Sequence, residues 1–152
     1  QDADIAHSRV CGPDTCATTV IYARTWNPRC PMIGRTQWAI PEGYIPETSH
    51  GPPEMESHET ICLLNAGDAA AHVEVTVYFE DREPIGPYEV SVPAERTTHV
   101  QFNEFEEPEI PRGTAFASVI ESDRPVVCQH TRLDSRQAEN ALLSTVACPG
   151  DP

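Results

Sequence analysis

Fifteen prolines and eight glycines are scattered through the 152 residues of this chain. Each proline removes a backbone donor and clashes with the preceding helical turn, so a bundle of long helices is excluded. Between the breaks, apolar residues recur with period two. Val73, Val75, Val77 and Phe79 alternate with His72, Glu74, Thr76, Tyr78 and Glu80, the pattern of a strand with one buried and one wet face. The same parity returns at Tyr88, Val90 and Val92, at Thr98, Val100 and Phe102, and at Phe116, Ser118 and Ile120. Turn chemistry closes the runs: Asp81 to Pro87 reads as a hairpin loop, Asn65 to Asp68 as a tight turn, and Asn103 to Gly113 as an acidic, proline-rich connection. Strands are expected near 35–40, 59–65, 71–80, 87–92, 96–102, 114–122 and 125–132, at intervals of about 10 residues, as in sandwiches and barrels. The fold class expected is all-β, an antiparallel β-sandwich of about seven to eight strands. Residues 135–147 stay undecided, because RQAENALL favours a helix and LLSTV a closing strand.

Charge bears on function next. Ten basic residues, all of them Arg, stand against 24 Asp and Glu, for a net charge of −14. With 39% apolar and 22% charged residues the composition is that of an ordinary globular domain, which excludes a disordered acidic tail. Apolar runs such as Ile61 to Leu64 fall far short of the roughly 20 residues that cross a bilayer, so no membrane insertion is expected. The acidity argues against nucleic acid as a partner, since phosphate binding needs a basic surface. The absence of Lys points to a salt-adapted or GC-rich source.

The first 31 residues differ from the rest. They hold Cys11, Cys16 and Cys30 but neither the basic start nor the apolar stretch of a secretory signal. Met32 stands just before the first convincing strand. Residues 1–31 are therefore expected to be an N-terminal extension, poorly ordered or not native, with the domain at 32–148 and a tail at 149–152. Three Asp and three Arg cancel in 1–31, so the whole −14 belongs to 32–152. In the domain Cys62, Cys128 and Cys148 are an odd set with two members in strands, which suits reduced thiols in the cytoplasm better than a disulfide framework.

Polar side chains that could carry chemistry concentrate in a few places. His58 and Glu59 begin one expected strand, and His99 and His130 sit on others; imidazoles with a carboxylate suit several transition metals. No H-x-H or H-E-x-x-H spacing occurs, and no metal or other cofactor is expected. The densest polar stretch is 129–140, where Arg132 and Arg136 supply planar donors and Gln129, Asp134, Gln137, Glu139 and Asn140 supply amides and acceptors. It fits two roles: pairing, Arg132 with Asp134 and Arg136 with Glu139, within a turn or across a subunit interface, or holding a small polar ligand. Catalysis finds no support, for there is no G-x-S-x-G elbow and no Walker or Rossmann glycine loop.

From residue 33 onward the chain resembles the sensory rhodopsin transducer family. The strings that carry the resemblance are IGRTQWAIPEGYIP at 33–46, SHETICLLNAGDAAAHVEVTVYFEDREPIGPY at 57–88, VPAERTTHVQFNEF at 92–105, FASVIESDRPVV at 116–127 and QHTRLDSRQAENALLSTVA at 129–147. The resemblance implies a soluble, cytoplasmic, jelly-roll-like sandwich that assembles as a four-fold tetramer. It also implies a signalling adaptor, not an enzyme, which relays the state of a membrane rhodopsin-type photoreceptor by binding its cytoplasmic face. An alternative is an intracellular module that binds a sugar-like small molecule or acts in regulation. The extension at 1–31 and the acidic, proline-rich loop at 47–56 depart from the family pattern.

Overall fold

The alternation read from the sequence becomes a half-buried strand at Ala71–Tyr78, where Ala71, Val73, Val75 and Val77 are buried and His72, Glu74 and Tyr78 are exposed. The computed structural model describes residues 6–11, 16–21, 33–50, 52–137 and 141–150. The chain divides into two units, 1–31 and 32–152. In the first, β1 (Ala6–Cys11) and β2 (Cys16–Ile21) pair as an antiparallel hairpin.

The second unit holds β3 (Arg35–Tyr44), β4 (His58–Asn65), β5 (Ala71–Tyr78), β6 (Ile85–Val92), β7 (Arg96–Gln101), β8 (Ala115–Asp134), β9 (Ala141–Val146) and β10 (Cys148–Pro149). All pairings are antiparallel. Around the first half of β8 the order is β10, β3, β8, β5, β6. Around its second half the order is β7, β4, β8, β9. These two layers turn their apolar faces to each other. One core cluster joins Trp38, Ile40, Val75 and Ile120 of the first layer to Ile61, Leu63 and Cys128 of the second, and the expected sandwich is found.

Two expected strands, 114–122 and 125–132, are a single strand of 20 residues. Ser122-Asp-Arg-Pro125 carries turn residues, yet the chain passes through them without reversing. Asp123 spends its side chain on the neighbouring strand, where its Oδ1 accepts the His72 backbone N–H at 2.7 Å. Pro125 sits where the β5 pairing has ended, at Ser122, and the β4 pairing has yet to begin, at Val127. The undecided segment resolves in part: 141–146 is strand, and residues 138–140 lie outside the described residues.

Local chemistry fixes the turns and the close approaches. The buried Asn65 amide donates to the carbonyls of Ala69, Val92 and Pro93 and accepts from Gly67 N–H, so one side chain shapes the 65–68 turn and ties it to the β6–β7 connection. In β3 the register shifts between Ile40 and Gly43, a bulge that admits Pro41 and Glu42. Gly43 lies so close to the Phe116 ring that a Cβ there would come within 2.3 Å of it. Phe116 packs on Phe102, which meets Phe105 edge-on, and Phe105 stacks on Tyr88 at 4.3 Å.

Phe102 is 1% exposed at the centre of that aromatic chain. Phe102→Ala is expected to cost about 3–5 kcal/mol, read as a lower midpoint in urea unfolding. Burial pushes the Cys128 thiol up to about 12, with the Cys62 sulfur adding to the rise. Its reactive thiolate is therefore scarce at neutral pH. Mapping alkylation by mass spectrometry should find Cys128 unmodified in the native protein and the exposed Cys148 modified.

Candidate functional site

Odd-numbered residues of β4 point inward: Glu59 lies on the same face as Ile61, Leu63 and Asn65, and all four are buried. The even-numbered residues of β8 from Val126 do likewise, which carries His130 inward beside Cys128. The register sets Glu59 opposite Arg132 and Ile61 opposite His130. Pairing of β4 with β8 thus delivers a carboxylate, an imidazole and a guanidinium to one end of the sandwich.

Glu59 has no solvent exposure and His130 has 3%. A bare carboxylate in that setting would be very costly, so its oxygens must find donors. Glu59 Oε2 hydrogen-bonds His130 Nε2. Oε1 accepts Arg132 Nε at 2.5 Å and the Tyr44 backbone N–H at 2.7 Å. Tyr44 belongs to β3, so one carboxylate binds strands of both layers. Arg132 Nη1 reaches on to Glu42 Oε1 at 3.1 Å, while Nη2 is buried with no hydrogen-bond partner among the described residues. Burial alone pulls the Arg132 pKa down, but hydrogen bonding and charge from Glu59, then Glu42, outweigh it and hold the guanidinium above its usual value.

Beside this cluster Arg136 grips Asp134, with Nε at 2.9 Å from Oδ1 and Nη2 at 2.5 Å from Oδ2, and its guanidinium carbon stands 5.5 Å from the Tyr44 ring centre. Hydrogen bonds from Arg136 hold the Asp134 carboxyl below the usual carboxylate range, against the opposing effect of burial. A depressed folded-state value stabilises the fold above the unfolded value near pH 4, and that stability is lost as pH falls through the folded-state value. With the Arg136 side chain 49% exposed, that contribution is small. Ser57 and Ser135 close the same end, their hydroxyls 3.0 Å apart.

Of the residues expected to act together, Glu59, His130 and Arg132 form one cluster and Asp134 with Arg136 adjoins it. The partners differ from the pairs read off the sequence: Arg132 takes Glu59 and Glu42, and Asp134 goes to Arg136. The remaining residues are elsewhere. His58 lies on the opposite face of β4 with Nδ1 at 2.8 Å from the Glu56 carbonyl, His99 is exposed on β7, and Gln129 faces outward and donates to Ser144 at 2.5 Å. Gln137 is exposed, and Asn140 and Glu139 lie outside the described residues. Glu42 and Tyr44 escaped the sequence reading because the bulge at Pro41 aims them. Glu59 and His130 did carry a signal, since each shares the parity of core positions in its own strand.

Chemically the cluster is a lock. Glu59 and His130 are sealed from solvent, and only Arg132 has a partly open side chain, 17% exposed. Among the described residues no group of three His, Cys, Asp or Glu is placed to hold a metal ion. Glu59→Ala leaves Arg132 with one carboxylate and His130 with none, and should cost about 3–5 kcal/mol, measured in chemical unfolding. Glu59→Gln, which keeps the shape and an acceptor oxygen, is expected to cost less.

Residues 33–149 match the family described as Anabaena sensory rhodopsin transducer. A solved structure titled "Anabaena sensory rhodopsin transducer" is 58% identical over 66% of this chain and 100% of its own, with a TM-score of 0.60. Another, of Thermotoga maritima 1070, is 32% identical over 77% of this chain and 96% of its own, with a TM-score of 0.68. No curated protein matches the chain.

Proposed function

The chain belongs to the Anabaena sensory rhodopsin transducer family, and on that premise we propose that it is a non-enzymatic signalling adaptor, a cytoplasmic homo-oligomer, tetrameric in the family manner. It relays the state of a membrane rhodopsin-type photoreceptor by binding to and leaving the receptor's cytoplasmic face. The observation that carries this reading is a row of like charges. Glu89 of β6 stands opposite Glu74 of β5, which stands opposite Glu121 of β8, all three exposed on the outer face of the first layer. Beyond Glu121 comes Gln37 of β3, whose amide is 3.1 Å from its Oε1. Among the described residues no salt bridge reaches the three carboxylates.

Like charges directly opposite each other weaken a sheet, and a basic partner relieves them. Cytoplasmic loops of membrane proteins carry an excess of Lys and Arg. A protomer of net charge −14 is steered toward such loops and held less firmly as salt rises. The same charge disfavours nucleic acid. Among the described residues no helix is long and apolar enough to cross a membrane, which suits a partner that docks from outside the bilayer.

The test is binding to a retinal photoreceptor from the same source, held in nanodiscs, across a salt series. Binding at low salt that weakens about tenfold or more at high salt, and weakens again when Glu74, Glu89 and Glu121 all become Gln, is the expected result. No binding at low salt, or binding indifferent to salt and to those substitutions, overturns the proposal. One observation favours a second reading, a module for a small sugar-like ligand: the unpartnered Nη2 of Arg132 is a donor beside Glu42 at the end of the sandwich. A sugar present at about 100 times its dissociation constant adds about 2.7 kcal/mol of stability, and a thermal-shift screen that finds no stabilising sugar removes that reading.

A further inference from the structure

On the outer face of the second layer a thiol stands directly opposite an imidazole. Cys62 of β4 is in register with His99 of β7 on one side and with Gln129 of β8 on the other. All three turn away from the core, since Ile61 and Leu63, which flank Cys62, are buried in it. The Cys62 thiol is free and partly exposed, and His99 is exposed. Two other imidazoles of the domain have partners, His58 at the Glu56 carbonyl and His130 at Glu59. Among the described residues no salt bridge reaches His99. Gln129 donates its amide to Ser144, which leaves the thiol and the His99 ring as the pair of metal-ligating groups on this face.

Residues directly opposite on antiparallel strands have Cβ atoms about 4.5–5.5 Å apart. An ion held between sulfur and nitrogen by bonds of about 2.3 and 2.0 Å, the lengths found for zinc, needs those two donors about 4 Å apart. Side-chain rotation brings an opposed Cys and His to that separation. The surroundings then select the ion. Thr60 and Leu64 flank Cys62 along β4, and Thr97 and Gln101 flank His99 along β7. None of these is a carboxylate, and neither Gln129, Thr131 and Val127 of β8 nor Ser144 and Val146 of β9 supplies one. Hard dications, which take oxygen ligands, find no carboxylate here. Four-coordinate zinc lacks two of its ligands, and one thiolate leaves a dication half-neutralised. A soft monovalent ion is satisfied by what is present: the thiolate cancels its charge and the imidazole completes a two-coordinate site.

We propose that Cys62 and His99 form a binding site for a soft monovalent metal ion, cuprous copper being the type. As the ion binds, the Cys62 thiol releases its proton to water and the sulfur–copper bond forms. A ring nitrogen of His99 donates its lone pair to the same ion. Copper enters and remains as Cu(I), so no electron is transferred, and the proton released balances the charge taken up. Loading therefore leaves this uncharged face uncharged. It also leaves the glutamate row on the opposite layer unaltered, so the site is separate from the surface assigned to a basic partner.

Anaerobic titration of the full chain with Cu(I), in competition with the coloured chelator bicinchoninate, tests the site. Cys11, Cys16, Cys30 and Cys148 are first replaced by Ser, so that the thiols left are Cys62 and the buried Cys128. This chain is expected to take up about one Cu(I), and X-ray absorption should find copper bound to one sulfur and one nitrogen. Losing a group that merely orients a ligand weakens metal sites about 10- to 100-fold, so His99→Gln, which removes a ligand, should weaken binding at least about tenfold. Cys62→Ser should abolish uptake, with an unchanged circular dichroism spectrum showing that it has folded. Should it not fold, the exposed His99 variant and the absorption spectrum decide. No uptake of Cu(I) overturns the proposal. Uptake that His99→Gln leaves unchanged, or copper bound to sulfur without nitrogen, is a thiol acting alone and overturns it equally.

Discussion

Strand β8 hydrogen-bonds to β3 and β5 along its first half and to β4 and β9 along its second. It is therefore the middle of both layers, and the sandwich depends on its running unbroken from Ala115 to Asp134. Its even residues from Phe116 to Ile120 are buried in one layer, and those from Val126 to His130 in the other. The arrangement accounts for the position of the polar cluster. Where β8 nears its end, inward parity still operates but the core is running out, and the residues that fall there are His130 and Arg132.

Glu59 answers them from β4. A carboxylate with no solvent exposure is held by an imidazole, a guanidinium and the backbone of β3, so the end of the sandwich is closed by charge where the middle is closed by Val, Ile and Phe. Such a cluster contributes less net stability than apolar residues of equal volume, yet breaking it is costly because each member leaves the others buried and unpaired. Its direction also matters, since Glu59 finds all its donors at one register of β3, β4 and β8. The cluster thereby specifies the pairing as well as supporting it.

Much of this was legible in the sequence because burial in a sandwich follows period two. The runs at 73–79, 88–92 and 116–120 name their own inward faces, and the tight turn at 65–68 was marked by Asn and Gly. The residues 122–125 misled because Asp and Pro there signal a turn, whereas tertiary pairing on both sides overrides the local preference. Pairings within 129–140 were misjudged for a related reason. Proximity in sequence suggested Arg132 with Asp134, but the register brings Glu59 from 73 residues away. The bulge at Pro41 aims Glu42 and Tyr44 at the cluster and sets Gly43 against the Phe116 ring, contacts made to strands far away in sequence that local patterning does not name.

The outer face of the first layer, with Glu74, Glu89 and Glu121 in one row, is the surface for a basic partner. Hydroxyl-radical footprinting of the oligomer, alone and with the photoreceptor, reads both faces at once. Leu142 and Val146 report the second layer, and Tyr78, 42% exposed on the outer side of β5, reports the first. The expected result is that the photoreceptor shields Tyr78 and leaves Leu142 and Val146 as reactive as in the protein alone. Shielding of Leu142 and Val146 by the photoreceptor with Tyr78 still reactive would contradict docking on the acidic face.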